Sequence, residues 1–207
     1  VTLSQVSYDS LRCCLDWIYC GTTEVMSEQA LFALLEAAVY LRIQELVTAG
    51  GQAATLRLDP SNTLLAWTVA EPRPELAGLA AAAFRKACRN FSAIVADSAA
   101  WASVPRALVH ALLADDRLAV TKEEDVYHAA MAWIAARNPP LAASETMSLL
   151  VHVRYARLEA HFVADVVRRE PLLRTASGSR FYWTHSKPHG LALSHPHVWA
   201  VYAAFCT

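Results

Sequence analysis

Histidine and cysteine crowd the end of this chain: His185, His189, His195, His197 and Cys206 bring imidazole and thiolate donors of the kind that hold zinc. Their spacing argues against a site. His195 and His197 lie too close together to share a helix face, and no carboxylate or paired cysteine completes a set. A second combination would set Cys13, Cys14 or Cys20 beside His110 or His128, the nucleophile and base of a cysteine hydrolase. Cys13 and Cys14 fall in an amphipathic stretch, however, where a thiol ordinarily serves as a small buried apolar group. There is no G-x-S-x-G elbow and no glycine-rich phosphate loop. No catalytic residue, metal or cofactor is expected, and recognition is the chemistry that remains. The charges at Asp115, Asp116, Lys122, Glu123, Glu124 and Asp125 read as a solvated, capped turn. Trp17, Trp67, Trp101 and Trp133 read as core, whereas Trp183 and Trp199, without an evident core around them, suit an interface. Arg154 reads as structural, a guanidinium bridging helix-terminal carbonyls.

The elements that hold these residues are helices. Of the 207 residues 55% are hydrophobic, only 18% are charged and six are glycine, and much of the apolar share is alanine, the best helix former. A net charge of -1 leaves no basic field for nucleic acid. No apolar run reaches the roughly 18 to 20 residues that span a bilayer, so the chain is expected to be soluble. Five cysteines without C-x-x-C spacing point to reduced thiols in the cytoplasm or nucleus. The start, VTLSQVSYDS, has neither a signal peptide nor an initiator methionine, which fits a fragment.

In chain order, residues 1–6 alternate as a short strand and residues 8–19 form a helix on the stripe Leu11, Leu15 and Ile18, closed by Gly21. Residues 22–25 suit a second extended piece. Ser27 caps a helix with Leu31, Leu34, Leu35, Ala38 and Leu41 inward. A weaker helix over 44–56 is interrupted by Gly50 and Gly51. Asp59 and Pro60 open the next helix, with Leu64, Leu65, Thr68 and Val69 inward. Prolines 72 and 74 break it, and an alanine-rich helix follows over 75–89, then a shorter one at Asn90 to Ile94. Pro105, behind Ser103 as cap, starts a helix with Leu108, Leu112 and Leu113 inward. Thr121 and Glu124 have the spacing of a capping box before a helix on Val126, Ala129, Ala130, Trp133 and Ile134. Pro139 and Pro140 end that helix. Ser144 can cap another, and Leu158, Phe162, Val163, Val166 and Val167 mark the last.

Two ordered sets of residues carry a resemblance. The run SYDSLRCCLDWIYCGTTEV, followed by LLEAAVYLRIQEL, resembles the C-terminal half of a BTB (POZ) domain. Asn90, Phe91 and Ile94, then Leu112, Leu113, Asp116, Leu118, Val120, Glu123, Val126, Tyr127, Ala129 and Trp133, match the pattern NF-x-x-I and LL-x-x-D-x-L-x-V-x-x-E-x-x-V-(Y/F)-x-A-x-x-x-W of a BACK domain. The resemblance covers about residues 1 to 174 and implies a mainly all-α fold: a partial BTB domain at 1–57 with one or two short strands, a BACK helical array at 58–174, and an unassigned tail at 175–207. The sheet-forming N-terminal half of a BTB domain and Kelch repeats are not found in this sequence.

The resemblance further implies a non-enzymatic adaptor of the Kelch-like type. BTB would bind a cullin scaffold, as a homodimer through a complete BTB domain, and BACK would space it from a module that reads a protein substrate for ubiquitination. The cullin groove of the family would fall between Tyr40 and Trp67, with Tyr40, Leu58, Asn62 and Leu65 as contacts. The family's hydrophobic-x-Glu cullin motif would lie upstream of Val1. The competing classes are a BTB oligomerisation or transcription-regulating scaffold without ligase activity, and an enzyme built on the histidine-rich tail.

Overall fold

The computed structural model describes residues 6–25 and 27–171. Residues 1–5 of the first expected strand and the whole histidine-rich tail, with Trp183 and Trp199, lie outside the described residues. Every regular element described is helical, and residues 22–25 join no strand ladder. No described helix is long and apolar enough to cross a membrane. The chain divides into two compact units, Val1–Leu108 and Val109–Thr207.

In the first unit, α1 (Tyr8–Cys20) begins at Ser7, whose hydroxyl accepts from the Ser10 N–H at 3.1 Å. It ends at Gly21, whose φ of 71° is the left-handed conformation that glycine adopts without steric cost. The face it buries is not its apolar stripe. Ser10 and Cys14 are covered, while Leu15, Ile18 and Tyr19 are 43%, 57% and 83% exposed.

Ser27 caps α2 (Glu28–Tyr40) by accepting from the Ala30 N–H at 3.1 Å, and Leu31, Leu34, Leu35 and Ala38 are buried as their period requires. The glycine pair does not interrupt α3 (Gln44–Leu56), because packing outweighs propensity there. A β-carbon added at Gly50 would stand 2.8 Å from the Leu35 side chain, so the absent methyl is what lets α3 lie this close to α2.

Helix α4 (Thr63–Ala70) starts later than Asp59 and Pro60 suggest. Asp59 instead closes a turn ahead of the helix, and the inward residues are Ala66, Trp67, Val69 and Ala70 rather than Leu64, Leu65 and Thr68. A 3-10 turn at Pro74–Leu76 leads into α5 (Ala77–Arg89), which buries Leu79, Ala83 and Ala87. Trp67 meets Phe84 with ring centroids 5.0 Å apart, a tilted aromatic pair that contributes about 0.5–1.5 kcal/mol beyond its buried area. Arg73 ties α2 to the end of α4 through a 2.7 Å ion pair with Glu36 and a hydrogen bond to the Val69 carbonyl. The short helices α6 (Phe91–Ala96) and α7 (Ser98–Ser103) pack Phe91 edge-on against Trp101 at 5.8 Å. Ser103 donates to the Ala100 carbonyl and so finishes α7 instead of capping the next helix, α8 (Arg106–Ala114), which contains the division between the units.

In the second unit, Val109, Leu112 and Leu113 of α8 are buried without exposed surface. The capping box expected at Thr121 is absent: Lys122 is the N-cap of α9 (Glu123–Ala135) and makes no side-chain cap bond. The two leading carboxylates have longer-range partners. Glu123 accepts from the Arg154 N–H at 2.8 Å, and Glu124 from the Glu159 N–H at 2.9 Å. Burial works against the Glu124 carboxylate, but the Glu159 N–H and its other neighbours prevail and hold its pKa down.

Arg154 is structural as expected, but it bridges one carbonyl and two carboxylates rather than several helix-terminal carbonyls. Its guanidinium donates to the Asp115 carbonyl at 3.2 Å and to Asp116 Oδ1 at 2.9 Å, and stands 3.7 Å from Glu123 Oε2. Helix α10 (Ala143–Leu150) starts from Ala142, whose N–H is taken by Glu145, not from Ser144. Leu158, Phe162, Val163 and Val167 are buried around α11 (Ala160–Asp165), and Val166 is not. Phe162 meets Tyr127 edge-on at 5.5 Å. Burial, and then Glu170, push the Tyr127 phenol up to about 12.

Candidate functional site

The residues between Tyr40 and Trp67 are held by a dense turn after α3. Asp59 Oδ1 accepts from the N–H groups of Ser61 and Asn62 at 2.7 and 3.0 Å, and Asn62 Oδ1 returns a bond from the Asp59 N–H at 3.0 Å. The Asn62 amide nitrogen donates to the Arg57 carbonyl at 2.9 Å, and the Thr63 hydroxyl donates to the Asp59 carbonyl. The Ser61 hydroxyl first, and then the Asn62 N–H, lower the Asp59 carboxyl below its usual range. Lys86 on α5 donates to the Leu58 carbonyl at 3.0 Å and fixes the turn from outside.

The four residues singled out in the sequence therefore have different surroundings. Tyr40, at the end of α2, is 52% exposed, and Leu65 on α4 is 39% exposed, so both present surface. Leu58 is half-buried, with its carbonyl engaged. Asn62 is 5% exposed and both ends of its amide are occupied, which makes it a support for the turn rather than a surface contact.

Sequence reasoning passes over a groove between α3 and the start of α5. Its volume is about 460 Å³, and Val47, Gly51, Leu56, Leu76, Gly78 and Leu79 are among the residues lining it. Leu56 stands at its lip, 87% exposed. Gly51 and Gly78 help keep it open: a β-carbon at Gly78 would meet nothing within 4 Å, and one at Gly51 would only touch Leu76 at 3.5 Å. The glycine pair in α3 is the signal that could have located it, since one glycine admits Leu35 and the next faces the groove.

The hydrolase combination gains no geometry. Cys14 is buried, and desolvation, followed by Cys13, pushes its thiol up, away from the thiolate a nucleophile needs. Cys13 donates to the Glu24 carbonyl at 3.7 Å. His110 pairs with His152 instead, Nε2 to Nε2 at 3.0 Å, and burial, then His110 and Arg154, hold the His152 pKa below its ordinary value. His128 meets Phe162 edge-on at 5.2 Å. Among the described residues no three His, Cys, Asp or Glu side chains gather as a metal cluster. What the first unit offers is shape: a turn held by several hydrogen bonds, the exposed side chains of Tyr40 and Leu65, and a groove whose apolar lining is joined by Thr48, Gln52, Thr55 and Glu75.

Comparison with known proteins gives the family of the two units. Residues 68–168 match the model for BACK, described as BTB And C-terminal Kelch, and residues 1–55 match the BTB/POZ domain. Kelch-like protein 21 of Bos taurus is 34% identical over 173 residues, which is 84% of this chain and 28% of that protein. The Homo sapiens protein of the same name is 33% identical with the same coverage. Kelch-like protein 3 of Danio rerio is 28% identical over 175 residues, again covering 84% and 28%. The chain thus spans 28% of the length of these relatives.

Proposed function

This chain belongs to the Kelch-like BTB-BACK family, and from that membership we propose that it is part of a non-enzymatic adaptor that brings a protein substrate to a cullin-RING ubiquitin ligase. The observation that carries the reading is the succession of BTB and BACK matches along one chain. In the proposal the BTB portion runs over residues 1–57 and the BACK array over 58–174. The cullin meets the first unit near the turn after α3: Tyr40 and Leu65 make apolar contact, while Leu58 and Asn62 hold the turn in the shape those contacts need. A protein substrate is read by a module other than these helices, and the adaptor works as a homodimer through a complete BTB domain. The cytoplasm, with the nucleus as a second compartment, is where such an adaptor would act.

The test is a pull-down with a protein carrying a complete BTB domain and the N-terminal domain of a cullin as bait. Binding at micromolar concentration is expected, and the double substitution Tyr40→Ala, Leu65→Ala should weaken it by about tenfold or more, as hot-spot truncations do. Absence of cullin binding to the unsubstituted protein would remove the adaptor reading. It would leave an oligomerisation or transcription-regulating scaffold, which dimer formation without cullin would then identify. Binding unchanged by the double substitution would place the contact elsewhere.

A further inference from the structure

In the second unit, two imidazoles meet edge to face. His110, on α8, and His152, in the turn after α10, hold Nε2 to Nε2 at 3.0 Å, with their rings at 83° and centroids 4.3 Å apart. Both are set on a rigid footing. Val109, Leu112 and Leu113 flank His110, and Leu149, Leu150 and Val153 flank His152, all buried to 2% exposure or less. The His152 N–H also donates to the Leu149 carbonyl at 3.2 Å.

A hydrogen bond accounts for the contact when one Nε2 carries the proton and the other accepts, in either direction. The same two nitrogens, when both rings are protonated at Nδ1, can instead donate lone pairs to one shared metal ion. Two imidazoles bound to one tetrahedral zinc by bonds of 2.0–2.1 Å have their nitrogens about 3.3 Å apart. The observed separation therefore lies a few tenths of an ångström from that of a chelate, within the reach of small side-chain rotations.

We propose that His110 and His152 form a two-imidazole site for a borderline divalent transition metal, Zn²⁺ above all, whose remaining coordination positions are open to water. Imidazole favours this class over Ca²⁺ and Mg²⁺, which take oxygen ligands. Arg154, the cation closest in sequence, opposes positive charge at His152 but is itself paired with Asp116 at 2.9 Å and lies 3.7 Å from Glu123, so a bound ion meets a repulsion that weakens the site. With no third protein ligand among the described residues, the site is an exchangeable one, unlike the closed four-ligand sites that hold a fold together.

Calorimetric titration of the 207-residue chain with ZnCl₂ tests it, using a background in which His185, His189, His195 and His197 are changed to Gln and Cys206 to Ser so that the tail does not compete. A single saturable step is expected in that background, lost in His110→Ala and in His152→Ala, and regained in His110→Cys because a thiolate replaces the imidazole. No saturable uptake, or uptake that survives both alanine substitutions, would overturn the proposal. A second measurement does not depend on how the variants fold. Substoichiometric Cu²⁺ should broaden the ring-proton NMR signals of His110 and His152 together, and broadening that spares either ring would overturn it as well.

Discussion

The side chain of Glu123, at the start of α9, is 2% exposed, whereas Ile18, on the stripe of α1, is 57% exposed. A carboxylate is inside and a branched hydrocarbon is outside, the reverse of what either side chain prefers alone. The difference lies in their partners. Glu123 is buried because the Arg154 N–H and guanidinium both meet it, so the desolvation of its charge is compensated by directional bonds. The α1 stripe meets nothing comparable among the described residues, and only Ser10 and Cys14 of that helix are covered. Polarity by itself predicts neither outcome. The partner decides, and at Glu123 it comes from 31 residues further along the chain.

If that account is right, the most damaging change should come from the polar region. Glu123→Ala leaves the Arg154 N–H without its acceptor and should cost about 3 kcal/mol in denaturant unfolding. Glu123→Gln keeps an acceptor in place and should cost clearly less. Equal losses from both would mean that charge, and not the hydrogen bond, is what matters there.

Packing supplies the next largest effect, and its sign changes between neighbouring residues. Gly50→Ala drives a methyl to 2.8 Å from the buried Leu35 side chain and should destabilise by about 1–3 kcal/mol. Gly51→Ala meets Leu76 at an ordinary 3.5 Å and should stabilise by about 0.5–1 kcal/mol, because it restricts the unfolded chain at no steric cost.

Acid should weaken the acidic region selectively. Asp115 is held down to about 2 by the Arg117 side chain and then by the Arg117 N–H, and Glu124 is also lowered. Both carboxyls have folded pKa values below their unfolded ones. The stability they contribute is therefore complete above about pH 4–5 and is lost as pH falls toward about 2. Arg117→Ala should flatten the Asp115 part of that loss in urea titrations at stepped pH.

The smallest effect is expected on α1. Leu15→Ser and Ile18→Ser should each change stability by less than about 0.5 kcal/mol, as exposed positions do. A loss of about 2 kcal/mol or more would show that this face is covered in solution, and sedimentation would then tell whether a second copy covers it.

Local signals were legible in the sequence. Ser27 and Gly21 delimit helices as their side chains and backbone freedom require, Trp67, Trp101 and Trp133 are buried while Trp17, also expected in the core, is only half-buried, and Arg154 bonds to a carbonyl. What could not be read depends on partners distant in sequence. The Thr121 to Glu124 spacing promised a capping box, but Glu124 bonds to Glu159, a choice no local pattern encodes. The α1 period shows an amphipathic helix without showing whether its stripe is covered. At the candidate site, Tyr40, Leu58, Asn62 and Leu65 come from the resemblance alone: the helical period puts Leu65 inward where it is 39% exposed, and the turn that consumes the Asn62 amide forms only in three dimensions.

The bond from the Arg154 N–H to Glu123 also has a consequence in time. Arg154 belongs to no helix, and amides in such connections ordinarily exchange with solvent deuterium quickly. This one is bound at 2.8 Å by a carboxylate that is itself buried, so it can exchange only when α9 and the turn after α10 separate. Its exchange should be as slow as that of the amides inside α9, making one connecting residue a clock for the opening of its unit.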